Sequence, residues 1–564
     1  MRSVSVSFLS LNAWIVLLIA VLAFFVLYPI WLILLNSLYV ETPEGMAFGF
    51  SIWREAFRQP GMADALINTI KVVATVQLIS FPVAIAIAWV LARTDVPFAR
   101  WIEFGFWASF LLPALATTTG WLLLLDPHYG LINRFLVDVG LFENSPFTLY
   151  SFWGIVFAHL VSNSISVKVM LLTPAFRNLN STLEESSRIC GANGYRAVMG
   201  IVLPLLTPVL LVTFLMSLIK GLEAFELELV LGAPIDFQVY STKIYQVLRG
   251  SPPDYGTATV LAVAILLLML PLVIFQQWAT NRRSFVTVTG NHRQDAICLG
   301  SKRWPVFIVL AVLLSLTTVV PVIFQFAGSI MTLYGFFDLP QVWSLRHWVS
   351  AFEDRTFVGA FRNTLVLGSV TTTIGIILFA VIAYCSIHTR RSLRLSLDVL
   401  SWLPFMIPGV ILGLSYLWFV LEVPVLTPLY GTMGVLVLVS LLAAVTLGVQ
   451  LIRSAMLQLG ADVEEAGRVV GGSWFRTFRS VLLPMISPTV AVVAIMIFAM
   501  TVRQVSTIVL LSTGSTTPLS VLQLEFLYGG ALGPAAVVGT VVVIISLTAA
   551  AALVIIASRF RIGR

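Results

Sequence analysis

Apolar stretches of about twenty residues recur along the whole length of this chain, and no water-soluble architecture hides that many of them. At 1.5 Å of rise per residue, each matches a hydrocarbon core of ~30 Å when helical. Backbone groups have no water to bond there, so the spans must satisfy them internally. Composition agrees: of 564 residues, 59% are hydrophobic and 10% charged, against roughly 25% charged in soluble domains. The fold class predicted is an all-α polytopic membrane protein. Its twelve spans fall near 13–36, 64–92, 104–125, 151–173, 203–222, 257–280, 304–331, 359–387, 397–421, 431–452, 482–502 and 535–558. The first run is too long for a signal-peptide core and lacks a small-residue cleavage site, so it reads as a retained span.

The formal charge of +7 would raise the question of nucleic acid in a soluble protein. Here the basic residues sit in short loops, and no nucleic-acid partner is expected. Placing the N-terminus inside puts Arg282, Arg283, Arg293, Lys302, Arg303, Arg390, Arg391 and Arg394 on the cytoplasmic side, as topology demands, and makes both termini cytoplasmic. Cys190, Cys298 and Cys385 are widely spaced and read as small apolar fillers.

The sequence also repeats itself. Asn68-Thr69 aligns with Asn363-Thr364 and Leu112-Pro113 with Ile407-Pro408, both at an offset of 295, while later landmarks align at 280. The surplus lies around D-P-H-Y-G-L-I-N, Asp126 to Asn133. Two six-span units of like orientation follow, at 1–280 and 304–564, joined by a polar linker at 281–303. A translocation path is expected between them.

Between the fourth and fifth spans each unit carries a polar segment. The first, 181–204, reads S-T-L-E-E-S-S-R-I-C-G-A-N-G-Y-R-A-V-M-G-I-V-L-P, and the second, 462–484, reads D-V-E-E-A-G-R-V-V-G-G-S-W-F-R-T-F-R-S-V-L-L-P. Each opens with a capping box, Ser181 with Glu184 and Asp462 with Glu465. Gly191 and Gly194, or Gly471 and Gly472, allow a sharp bend. A short apolar helix then lies along the membrane face until Pro204 or Pro484 begins the next span. A partner gripping such a hairpin would move the span tied to it.

These segments resemble the EAA loop of binding-protein-dependent ABC importer permeases, with Glu184, Glu185, Gly191 and Pro204 matching Glu464, Glu465, Gly471 and Pro484 in place. Ser186, Ser187 and Gly467 stand where that family has alanines, and Val481 where it has isoleucine. The resemblance extends to fused, two-half permeases of the ferric-iron type through G-L-E-A-F-E (Gly221 to Glu226), S-T-K-I-Y (Ser241 to Tyr245) and R-Q-V-S-T-I-V-L-L (Arg503 to Leu511). It implies a type I importer fold in the bacterial inner membrane, with both loops held by two cytoplasmic ATPase subunits. It also implies a periplasmic substrate-binding protein that delivers a small molecule or ion. Ferric iron is the first expectation for cargo, and thiamine, a polyamine or a phosphonate the alternatives.

No G-x-x-x-x-G-K-[ST] phosphate loop occurs, so energy must come from another polypeptide and the chain is not expected to be an enzyme. No cofactor or catalytic metal is expected either: neither H-E-x-x-H nor Cys-x-x-Cys is present, and the five histidines read as loop or interface residues. An ion-coupled secondary transporter would also have six plus six spans, but calls for a G-x-x-x-D-R-type loop where this chain has L-A-R-T-D-V-P-F-A-R, Leu91 to Arg100. A membrane scaffold would need no ATPase at all.

Charges at the edges of spans mark a candidate path. Glu223 and Glu226 are spaced to share a helical face, where they could attract a cation or form an acidic rim that docks a binding protein. Arg503 stands opposite Glu223 in the repeat, which suggests an ion pair across the pseudo-twofold axis. Lys71, Lys168 and Lys220 can snorkel and are given no role. Gly409 and Gly413 have the spacing that lets helices approach closely.

Overall fold

The computed structural model describes residues 2–42, 45–179, 191, 193, 196, 198–282, 297–459 and 474–559. The first repeat runs α1 (Arg2–Asn36), a hairpin of β1 (Tyr39–Thr42) and β2 (Gly45–Phe48), α2 (Ser51–Arg58), α3 (Met62–Arg93), α4 (Ala99–Leu111), α5 (Ala114–Leu125), α6 (Leu131–Asp138), α7 (Phe152–His159), α8 (Ile165–Arg177), α9 (Leu203–Leu222), α10 (Glu226–Gly232), α11 (Tyr240–Arg249) and α12 (Tyr255–Arg282). The second runs α13 (Arg303–Leu314), α14 (Val320–Ser329), α15 (Arg346–Glu353), α16 (Arg355–Ile387), α17 (Arg391–Trp402), α18 (Gly409–Glu422), α19 (Met433–Gln458), α20 (Leu483–Val502), α21 (Leu519–Tyr528) and α22 (Leu532–Arg559). Among the described residues ten helices are long and apolar enough to cross a membrane, or up to twelve if each of two bent pairs is one span.

Those bent pairs correct the expectation of straight spans at 104–125 and 397–421. Helices α4 and α5 meet at 99°, and the α17 segment meets α18 at 110°. Pro113 and Pro408 lack an N–H and push the residue before them out of the helical region. Leu112 (φ −70°, ψ 141°) and Ile407 (φ −96°, ψ 124°) are accordingly extended.

Large apolar side chains face outward while polar ones are buried among the apolar core, unlike the surface of a soluble fold. On α3, Leu78 is 77% exposed while Thr69, Gln77 and Ser80 are buried. Only hydrocarbon makes such an exterior stable.

The repeated Asn-Thr pair does the same work twice. Thr69 Oγ1 accepts the Tyr240 N–H at 2.8 Å and Thr364 Oγ1 accepts the Leu519 N–H at 2.8 Å, capping the first residues of α11 and α21. Asn68 donates to the Gln238 carbonyl, and Asn363 to the carbonyls of Ser515 and Thr517.

The repeats exchange their first helices. Helix α1 packs on α17 and α18 of the other repeat, where Tyr416 Oη donates to the Phe25 carbonyl and Phe24, Phe25 and Tyr28 surround the Phe419 ring. Reciprocally α14 lies on α5. A Cβ at Gly120 would overlap the Pro321 carbonyl, so that crossing needs a glycine.

The 126–150 insertion clamps the first repeat to the loop after α14. Asp126 accepts the His128 N–H at 2.8 Å, Arg134 pairs with Asp338, and Tyr129 packs edge-on against Tyr334. Burial and the Asp126 carboxylate push the Tyr150 phenol up to about 12. From the linker, Ile297 bonds Arg93 and Leu299 N–H bonds Asp95, tying 297–299 to the α3–α4 loop.

Candidate functional site

The two breaks bring a polar cavity into the middle of an apolar bundle. At each break the last carbonyls of the helix lose their intrahelical partners. Arg503, at the end of α20, donates to the Phe110 carbonyl and, at 3.2 Å, to that of Leu112. Its guanidinium lies 4.8 Å from the Phe110 ring centroid. Lys220, near the end of α9, has its ammonium 4.3 Å from the Phe405 ring centroid. Phe110 and Phe405 are equivalent at the offset of 295. Each repeat thus rests a cation on the aromatic ring before the other repeat's break.

Between these clamps lie two adjoining cavities. One of about 260 Å³ is lined by Lys220, Glu223, Glu226, Arg503, Phe405 and Ser440, among others. The second, of about 310 Å³, adds His159, Ser164 and Glu228, and shares Asn163 and Glu226 with the first.

Glu223, Glu226 and Arg503, expected on the path, all line the cavity, but not as the spacing suggested. Helix α9 ends at Leu222 and α10 starts at Glu226, so the chain turns between the two glutamates and they share no helical face. Nor do Glu223 and Arg503 form the expected pair. Glu223 is held by Lys220 at 2.9 Å, which sits one turn back on the same helix. Arg503 is instead attracted electrostatically to Glu226, which lines the same cavity.

Sequence reasoning passed over Lys220, His159, Asn163 and Ser440, which all line the cavities. Lys220 had been set aside as able to snorkel. His159, read as a loop or interface residue, instead ends α7 inside a span, where its Nε2 lies 2.6 Å from Glu228 Oε1. Glu228 is fully buried. The pair is 69 residues apart, so only the fold could show it. After His159 the helix passes through a π-turn, Leu160–Ser164, which turns Ser162, Asn163 and Ser164 to the cavity. Such bulges are frequent at functional sites.

Of the eight candidate loop residues, Glu184, Glu185, Glu464, Glu465 and Gly471 lie outside the described residues. Gly191 has φ +85°, the left-handed turn for which a glycine was expected. Pro204 and Pro484 stand in the first turns of α9 and α20, as expected, but neither helix starts the run. They sit inside helical runs, Val198–Leu222 and Arg479–Val502, each after a π-turn. The widened turn accommodates the missing N–H and the ring. Gly409 and Gly413 do mark a close approach, since a Cβ at Gly413 would lie 2.6 Å from the Thr507 carbonyl oxygen.

Residues 372–562 match the family described as binding-protein-dependent transport system inner membrane component. The similarity to this family lies in the second half of the chain. The chain is 27% identical over 409 residues to the ferric transport system permease protein FbpB of Actinobacillus pleuropneumoniae, an alignment covering 70% of this chain and 57% of that protein. It is 29% identical over 380 residues to a putative ferric transport system permease protein, FbpB 1, of Haemophilus influenzae, covering 65% of this chain and 58% of that one. The chain thus spans under two thirds of the length of these two relatives. A probable ABC transporter permease protein, y4fN, of Sinorhizobium fredii is 25% identical over 91% of this chain and 90% of its own. Among solved structures, a bacterial ABC transporter that imports alginate is 16% identical with a TM-score of 0.38, covering 47% of this chain and 98% of that one.

Proposed function

We propose that this chain is the transmembrane permease of an ATP-binding-cassette importer, with halves at 1–280 and 304–564 and a cytoplasmic linker at 281–303. A periplasmic binding protein delivers solute to the end that carries the β-hairpin and the 126–150 insertion. Solute crosses through the cavity between the broken helices. Two ATPase subunits grip the loops at 181–204 and 462–484 through Glu184, Glu185, Glu464 and Glu465, and the helical runs through Pro204 and Pro484 carry their motion to Lys220 and Arg503. Both termini are cytoplasmic in this arrangement.

The observation that carries this reading is a charged cavity between two equivalent helix breaks in a chain whose second half matches an importer family. Ferric iron is the proposed cargo. Relatives named for ferric transport align over 65–70% of the chain, whereas relatives named for sulfate and molybdenum align over 37–38%. Three glutamates at the cavity suit a cation better than an oxyanion.

The test is a pull-down of the tagged chain in detergent, native and with Glu185→Lys plus Glu465→Lys. A co-purifying ATPase is expected with the native chain and not with the double variant. Absence of an ATPase from both overturns the importer reading.

A further inference from the structure

Glu228 is a buried carboxylate with one oxygen left over. Its side chain is 0% exposed, His159 takes Oε1, and Oε2 has no hydrogen-bond partner among the described residues. Leaving a buried charged oxygen unmatched costs more than a single hydrogen bond is worth. Glu228 lines the second cavity, and across it Asn163, presented by the π-turn, holds a second buried and unpartnered oxygen, Oδ1. Glu226 completes the polar wall.

The other charges do not answer this demand. Lys220 is engaged by Glu223 on one side and the Phe405 ring on the other. Arg503 is engaged by two carbonyls and by the Phe110 ring. The cavity therefore presents uncommitted oxygen acceptors, while its two cations, Lys220 and Arg503, are committed elsewhere.

We propose that Glu228 Oε2 and Asn163 Oδ1, with Glu226 beside them, form a transit site on the permease for a hard, oxygen-seeking cation. The proposal rests on reading the cavity as the solute path. Carboxylate and amide oxygens select hard cations over soft ones. Among the described residues no group of three or more His, Cys, Asp and Glu side chains is placed to hold a metal ion. The cation therefore keeps part of its water shell. A transit site requires this, since binding must favour entry without preventing exit. His159 positions Glu228 by holding its other oxygen.

The test uses Tb(III), a luminescent hard cation, titrated into the purified full-length chain in detergent. Three variants are compared, Glu228→Gln, Asn163→Asp and the exposed control Glu55→Gln, each checked for monodispersity. The native chain is expected to bind one Tb(III) whose luminescence lifetime shows retained water. Glu228→Gln should weaken binding at least tenfold, Asn163→Asp should tighten it severalfold, and Glu55→Gln should leave it unchanged. A gain in Asn163→Asp cannot come from misfolding. Equal affinity in the native, Glu228→Gln and Asn163→Asp chains overturns the proposal, as does the absence of a one-to-one site in the native chain. The ATPase pull-down on the same preparations is independent: an ATPase that associates with a chain lacking the site leaves the importer reading standing and removes only the site.

Discussion

The two repeats share a skeleton but line the cavity with opposite chemistry. At the offset of 280, Lys220, Glu223, Glu226 and Glu228 of the first repeat correspond to Met500, Arg503, Ser506 and Ile508 of the second. All three acids come from one side. The helix facing them differs in the same sense. Ser151 and Thr432 cap α7 and α19 with their hydroxyls and stand 281 apart, whereas Pro204 and Pro484 stand 280 apart. The π-turn at 160–164 accommodates the surplus residue, while α19 runs through the equivalent place as regular α-helix. As a result Asn163 and Ser164 stand where the second repeat has Ala443 and Ala444. Symmetry is kept where the bundle must move as one body, and broken where it meets solute.

The comparison breaks most visibly at the two cations. Arg503 donates to two carbonyls at the α4 break, and Arg503→Ala is expected to cost about 1.5–3 kcal/mol, the range for hydrogen bonds to a charged group. Lys220 is 45% exposed and its bridge lies within a single helix turn, so Lys220→Ala should cost at most about 1 kcal/mol. Thermal unfolding in detergent checks both. Equal losses would mean that the clamps are energetically interchangeable despite their different partners.

Next in size is Gly413→Ala. Its Cβ would press on the Thr507 backbone, which has no side chain to rotate away, and a loss of about 1–3 kcal/mol is expected. The counterpart in the first repeat is Thr118, whose hydroxyl bonds only the Ala114 carbonyl of its own helix. Thr118→Ala should cost about 1 kcal/mol or less. The second repeat needs glycine because an irregular chain at 505–507 leans on α18, where the first repeat has α10 instead.

Apolar run length carried the spans, and the Asn-Thr, Leu-Pro and Ile-Pro matches carried the repeat, because each of those residues does a local job that sequence spacing records. The breaks at Pro113 and Pro408 were legible too, since a proline deep inside an apolar run cannot continue a regular helix. Taking each run as one straight span passed over that signal. Exchange of α1 and α14 left no local trace, being decided by packing between segments hundreds of residues apart. The Glu223–Arg503 pairing failed for a geometric reason. Alignment places both residues at the same height, but Lys220 reaches Glu223 within its own turn, and the orphan carbonyls of α4 draw Arg503 sideways.

A finer test of equivalence lies in the threonine caps. Thr69→Ala and Thr364→Ala each remove the acceptor for a helix's first N–H, with the same 2.8 Å geometry. Each should cost about 1 kcal/mol, and the two losses should agree. If one substitution proves silent, the repeats are alike in trace only.

The smallest expected effect is the sharpest on asymmetry. Ser440 stands at the offset of 281 from His159 and lines the same cavity system, yet its buried hydroxyl has no hydrogen-bond partner. Removing a hydroxyl that bonds nothing forfeits no bond and relieves a desolvation cost. Ser440→Ala should therefore leave stability within about 0.5 kcal/mol of native. His159→Ala strips the only partner from Glu228 Oε1 and should be far more costly. Should Ser440→Ala instead match His159→Ala in lost stability, the second repeat's wall would hold a polar contact as important as the first's, and the division between an acidic working side and a mechanical side would not stand.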